Sequence, residues 1–156
     1  MSSPSNRSPD RKWTIVVWAL LVAGVVGCQA MESESDKKHK ANLVGAWYSE
    51  AKDPDSEAKI DALIVLRSDG KFTTTRRLTE PGHPVQVDNE AGEWYVTDSL
   101  YKRRTDSLNG KVLGRAQQSY ATCRIESVSP SDLRCVNDVS QYTFTQRRVP
   151  ADFKLP

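Results

Sequence analysis

Histidine is scarce in this chain: there are two, His39 and His83. A zinc site wants four ligands, and no Cys-x-x-Cys spacing supplies the rest, so no metal centre is expected. The strained Gly-x-Ser-x-Gly turn that presents a catalytic serine is missing as well. His83 stands in Pro81-Gly82-His83-Pro84, where turn geometry accounts for its neighbours without catalysis. Asp53, Asp55 and Glu57 alternate as an oxygen-rich patch, yet they lack the glycine and distal glutamate of a calcium loop and read as a solvated loop. Neither catalytic residues nor a resident cofactor is expected.

Long apolar spans are missing too. The run from Trp13 to Val26 holds 14 residues without a charge, whereas a membrane helix needs about 20 apolar residues. It matches instead the apolar region of a secretory signal, about 7–15 residues long, with Arg7, Arg11 and Lys12 ahead of it and the small Gly27 at its end. An ordinary signal has no need of a cysteine at that seam. Val25-Val26-Gly27-Cys28 resembles the lipobox of bacterial lipoproteins. The resemblance implies cleavage before Cys28, a diacylglycerol on its thiol and acylation of the new amine. Two or three such chains, at about 0.8 kcal/mol per buried CH₂, hold a protein durably where one holds it only marginally. A lipid-anchored place in the bacterial cell envelope follows. Because Gln29 rather than aspartate comes next, the resemblance implies the outer membrane, facing the periplasm, in a Gram-negative host. The alternative is a simple signal-anchor with an incidental cysteine.

The third absence is net charge. The chain has 22 basic and 20 acidic residues; the leader, residues 1–27, removes three and one, leaving 19 of each in the 129 that follow. A nucleic-acid binder carries a basic excess, so no nucleic-acid partner is expected. The charges are unevenly spread. Glu50–Trp94 holds ten acidic and six basic residues, and Tyr95–Val149 nine basic and five acidic. Either the domain carries a modest charge dipole that orients it against an anionic surface, or these are solvated strand faces. Arg76-Arg77 and Lys102-Arg103-Arg104 each put at least one cation outside by alternation.

With Cys28 lipidated, Cys123 and Cys135 remain as an even pair in an exported protein, which reads as a disulfide rather than a metal site; two free thiols are the alternative. Residues 28–41, the lipidated cysteine and "QAMESESDKKHKA", are highly charged and read as a solvated tether. From Asn42 the texture turns β-branched and aromatic, broken about every ten residues by turn signals. Strands are expected at 43–49, 60–67, 72–79, 92–97, 100–105, 111–113, 120–127, 133–137 and 141–149, with a 150–156 tail. "SDGK", "LNGK" and "SPSD" supply turns, "EPGHPVQVDNE" a long loop, and residues 50–60 a possible short helix after Asp-Pro. Period-2 alternation puts Ile60, Ala62, Ile64 and Leu66 on one face, and Phe72, Thr74 and Leu78 on another with Arg76 as an intruder. Pairing Ile125 with Leu133 across the Pro130 hairpin sets Cys123 directly opposite Cys135, close enough for a disulfide.

About eight short antiparallel strands in residues 42–149 predict an all-β domain, a closed up-and-down barrel or a compact sandwich. "LVGAWYS", "LRSDGKFT", "AGEWYV" and "YTFTQRRV" together resemble bacterial lipocalin-like domains. In lipocalins a Gly-x-Trp opens the first strand and a late arginine packs across that tryptophan to close the barrel floor. Gly45, Trp47 and Arg147 or Arg148 are the matching positions. Alternation chooses between the arginines: Tyr142, Phe144 and Arg148 share one face, so inward aromatics make Arg148 the inner one. Trp94, in a second Gly-x-Trp, reads as core beside Trp47.

Two functions remain open. The barrel binds a small apolar or amphiphilic molecule, at residues the sequence does not identify, or it is filled by its own side chains and docks an envelope protein partner. Small eight-stranded barrels do either, and the size of the inward residues, among them Ala62, Thr74 and Ala121, decides.

Overall fold

Alternating apolar residues separated by tight turns build a continuous meander. A computed structural model of the protein describes residues 33–52 and 57–156. The leader, the lipobox with Cys28, and Asp53 and Asp55 lie outside the described residues. A helix α1 (Glu34–Leu43) is followed by β1 (Gly45–Lys52), β2 (Lys59–Leu66), β3 (Lys71–Thr79), β4 (Gln86–Thr97), β5 (Leu100–Leu108), β6 (Lys111–Val112), β7 (Ser119–Val128), β8 (Asp132–Asn137) and β9 (Thr143–Val149). Each strand pairs antiparallel with its neighbour in sequence, except that the two-residue β6 is only an outgrowth of β5 and β7 takes its place. Pairing of β1 with β9 closes the ring. Among the described residues the fold is thus an eight-stranded antiparallel up-and-down barrel plus one extra strand, one short α-helix and a single 3-10 turn at Arg115–Gln117. Closure removes the unpaired edges that an open sheet would expose.

Period-2 alternation sorts side chains between two cores. Trp47, Ile64, Leu66, Phe72, Trp94, Val96, Tyr101, Cys123, Ile125, Leu133 and Cys135 fill the interior, with Leu43 of α1 capping it. Outside the barrel, Ala46, Tyr48 and Val149 form a smaller cluster with Leu63 and Val65, covered by Phe153 and Leu155 of the C-terminal tail. The inward face of β2 is not uniformly buried. Ile64 and Leu66 are inside, but Ile60 is 37% exposed, because it lies toward the open end where the barrel is not filled. Arg76, also toward that end, is solvent-exposed and pairs with Asp88 at 3.0 Å.

Four expectations need correction. Residues 34–41 are not a solvated tether but most of α1. The segment has no apolar stripe, so helical periodicity is silent; it is helical because its two ends are held by tertiary partners described below. The first strand correspondingly begins at Gly45, not Leu43. No helix occupies the described part of residues 50–60, since Glu50–Lys52 extend β1 and Lys59–Ile60 begin β2. The second half of the long loop, Gln86–Glu90, pairs with β3 as the start of β4.

The fourth correction concerns the cysteine hairpin. Cys123 and Cys135 are bonded, with Cα atoms 5.7 Å apart, but they are not directly opposed. Ile125 faces Cys135 and Cys123 faces Asn137, and a bulge lies between Ile125 and Ser127. The expected register is off by two residues. A shift of two, unlike a shift of one, keeps every side chain on its own face, so the cysteines remain inside as diagonal neighbours within bonding reach. Closing so short a loop contributes about 3 kcal/mol in the chain-entropy model. Replacing both cysteines by alanine is therefore expected to lower the unfolding free energy by about that amount in urea, and intact mass under non-reducing conditions should show two fewer hydrogens than the dithiol.

Candidate functional site

The end of the barrel where β1 begins is closed by a compact set of contacts. Trp47 is completely buried and donates its indole N–H to the Leu43 carbonyl at 2.7 Å. Its cross-strand partner in β9 is Arg148, whose guanidinium lies over the indole at 4.2 Å. Arg148 also donates to the Val44 carbonyl at 2.7 Å and to the Asn42 carbonyl. The last carbonyls of a helix have no partner within it; here Trp47 and Arg148 satisfy three successive ones, and a cation at a helix C-terminus is favoured by the helix dipole. Gly45 makes this approach possible. Its φ is +140°, and a Cβ at that position would overlap Arg148 Nη1.

The second Gly-x-Trp works the same way. At Gly92 the β4–β5 pairing is bulged and the backbone passes so close to the Arg104 carbonyl that a side chain would not fit. Two residues on, Trp94 is 2% exposed and its indole N–H reaches the Arg67 carbonyl at 2.9 Å. Both tryptophans are core residues that tie a neighbouring chain segment to the closed end.

The N-terminal half of α1 is held by Asp36, a residue of the segment expected to be a solvated tether. Ser33 caps the helix through its side chain, accepting from Asp36 N–H at 3.0 Å. The Asp36 carboxylate in turn accepts from the backbone N–H groups of Asp98 and Ser99 at 3.2 and 3.0 Å. Those two residues form the β4–β5 turn with φ of 52° and 59°, a left-handed conformation that glycine and asparagine usually supply. The Ser99 amide, followed by the Ser33 contact, holds the Asp36 carboxyl below its ordinary range despite burial.

Arg147 faces the other way. Its guanidinium lies 4.7 Å from the Tyr48 ring and 5.4 Å from Phe153, whose rings meet edge to face at 5.3 Å. Beneath them Asp61 is fully buried on the outer face, accepting from Tyr48 Oη at 2.6 Å and Arg77 at 2.9 Å, with Lys59 at 3.3 Å. Burial pushes this carboxyl up, but those three partners outweigh it and leave it low. The network pins the outer face.

The interior is filled along most of its length, and a cavity of about 150 Å³ remains beside Tyr101, Arg103 and Gln146. Burial pushes the Tyr101 phenol up to about 12, so it stays protonated at neutral pH. His83 is exposed in its turn, with its N–H on the Glu80 carbonyl, and Glu57 is exposed. Among the described residues no group of histidine, cysteine, aspartate and glutamate is arranged to hold a metal ion. No protein-family model matches the chain, and no curated protein does either.

Two outcomes are expected. Trp47→Ala should destabilise the fold by about 3–5 kcal/mol, as a large truncation in a packed core, and Arg148→Lys should lower the urea midpoint because an ammonium keeps the charge but not the fork or the stacking. Second, a carboxyl held low in the native state stabilises above the unfolded aspartate value, about 3.9, and loses that contribution as pH falls below it. Amide exchange at Asp98 and Ser99 should therefore accelerate on acidification before the barrel strands do, and Asp36→Ala should accelerate it at neutral pH.

Proposed function

We propose that this protein is a non-catalytic, lipid-anchored envelope lipoprotein whose barrel is filled by its own side chains and whose outer face docks an envelope protein. The observation that carries the reading is the interior. Trp47, Leu66, Phe72, Trp94, Leu133 and Cys135 are each 2% exposed or less, and the space left, about 150 Å³, is below the 300–1,000 Å³ typical of ligand pockets. A long acyl chain has no room. Of the two functions the sequence left open, binding of a small apolar or amphiphilic molecule and a filled barrel, this inventory favours the filled barrel over one that carries a long-chain ligand.

The anchor rests on Val25-Val26-Gly27-Cys28. Cys28 precedes the helix cap Ser33 by five residues, so a lipid there would tether the barrel through the chain that enters α1. The docking face is argued from charge. Because the fold is a meander, the basic second half of the sequence occupies β5, β7, β8 and β9, contiguous on one side of the ring. On its outside, Lys102 pairs with Thr122 across β5–β7, Tyr120 is 70% exposed and Arg124 is exposed, whereas Arg104 beside Tyr120 is already paired with Glu93 and Asp106. Amphipathic aromatics interleaved with cations suit an acidic protein surface.

The anchor is tested with Cys28→Ser, which should abolish labelling by radioactive fatty acid and release the protein from the membrane fraction; unchanged labelling would refute it. The filled barrel is tested on that released protein: organic extraction and mass spectrometry should find no stoichiometric lipid. One long-chain lipid per barrel would restore the carrier reading. A photocrosslinker at Thr122 should give a discrete protein adduct in cells that Lys102→Glu with Arg124→Glu reduces, and equal crosslinking by the charge-reversed protein would exclude this face.

A further inference from the structure

The interior cavity of about 150 Å³ has a lining of mixed chemistry. Ile64 and Phe144 contribute apolar lining, and Tyr101, Arg103, Asn137 and Gln146 polar lining. Two of those polar groups are incompletely satisfied within the protein. Tyr101 is 5% exposed and its hydroxyl has no hydrogen-bond partner, although buried hydroxyls nearly always find one. Arg103 lies 5.3 Å from the Phe72 ring centroid and gives one N–H to Thr74 Oγ1 at 3.1 Å. Among the described residues no carboxylate lines the cavity, and a guanidinium cannot shed its charge. A permanent cation with spare donors and an orphaned hydroxyl thus share one small space with an apolar wall.

We propose that this cavity binds a small organic monoanion, a carboxylate on a short apolar or aromatic body. The carboxylate sits on the fork of Arg103 and accepts from the Tyr101 hydroxyl, while the body packs against Ile64 and Phe144. Planar guanidinium matches planar carboxylate, and a cavity of about 150 Å³ is of the size that accommodates benzene. Thr122 borders both this site and the docking face on the outside of the same strands, but Tyr101 and Arg103 belong to the cavity alone, and the cavity excludes the long chains that the filled remainder of the barrel also excludes.

The test uses the full-length protein in detergent, with benzoate as probe and benzamide and inorganic phosphate as controls. Benzoate should shift the amide resonances of Tyr101, Arg103 and Cys123 saturably. Benzamide, which keeps the ring and loses the charge, and phosphate, which keeps charge and loses the ring, should each bind at least about tenfold more weakly, the loss of one good charge-assisted contact. Arg103→Gln should weaken benzoate by about the same factor, and Tyr101→Phe by less. Ala121→Trp, which fills the cavity at its exposed rim, should abolish binding, and it decides the matter if Arg103→Gln does not fold. No saturable shift with the wild-type protein, equal affinity for benzamide or phosphate, or unchanged benzoate binding by Arg103→Gln or Ala121→Trp would overturn the proposal.

Discussion

The structure turns on one guanidinium. Arg148 lies flat on Trp47 and at the same time reaches the carbonyls of Asn42 and Val44. A cation over an indole contributes about 0.5–2 kcal/mol depending on desolvation, which by itself is modest. Its importance lies in what it joins. Through Arg148 the last strand, the first strand and the end of the helix share one contact, and that contact requires a residue without a side chain at Gly45. Remove the arginine and the helix loses its C-terminal partner, the indole its cover and the barrel its floor.

Neighbouring positions on one strand serve opposite surfaces. Arg148 points inward onto Trp47, and Arg147 points outward onto Tyr48 and Phe153. The consecutive residues of β1 answer them, with Trp47 inside and Tyr48 outside, as the β1–β9 register requires. The first–last strand junction is therefore clamped on both faces by aromatic–guanidinium stacking. Outside, the C-terminal tail covers the clamp, and the buried Asp61 network anchors Tyr48 from beneath. This double clamp places rigidity at the seam where a barrel is most easily opened.

The proposed division of labour follows from the same geometry. Bulky residues concentrate at the closed end, leaving the interior too small for a lipid and large enough for one compact anion near Arg103. The outer wall over β5 and β7 presents Lys102, Arg124 and the exposed Tyr120, while Arg104 is paired with Glu93 and Asp106. A chain with equal numbers of both charges after residue 27 is polarised because a meander converts halves of a sequence into sides of a barrel.

Alternation and turn chemistry were readable without coordinates because they are local: Asp-Gly and Asn-Gly turns, period-2 strands, the facing of Arg148, and two cysteines on the inner face. The resemblance of Gly45 and Trp47 to a barrel-closing motif pointed to the same end. What alternation does not encode is register, since sliding a hairpin by two residues leaves every face unchanged; Cys123 and Cys135 therefore became diagonal rather than opposed. Nor could a charged segment with no apolar stripe announce itself as α1. Its helical state depends on Asp36 gripping a turn 62 residues away and on Arg148 more than a hundred residues later. Such long-range partners exist only once the barrel has closed, and so the helix, the Asp61 network and the size of the interior cavity were decided by tertiary structure alone.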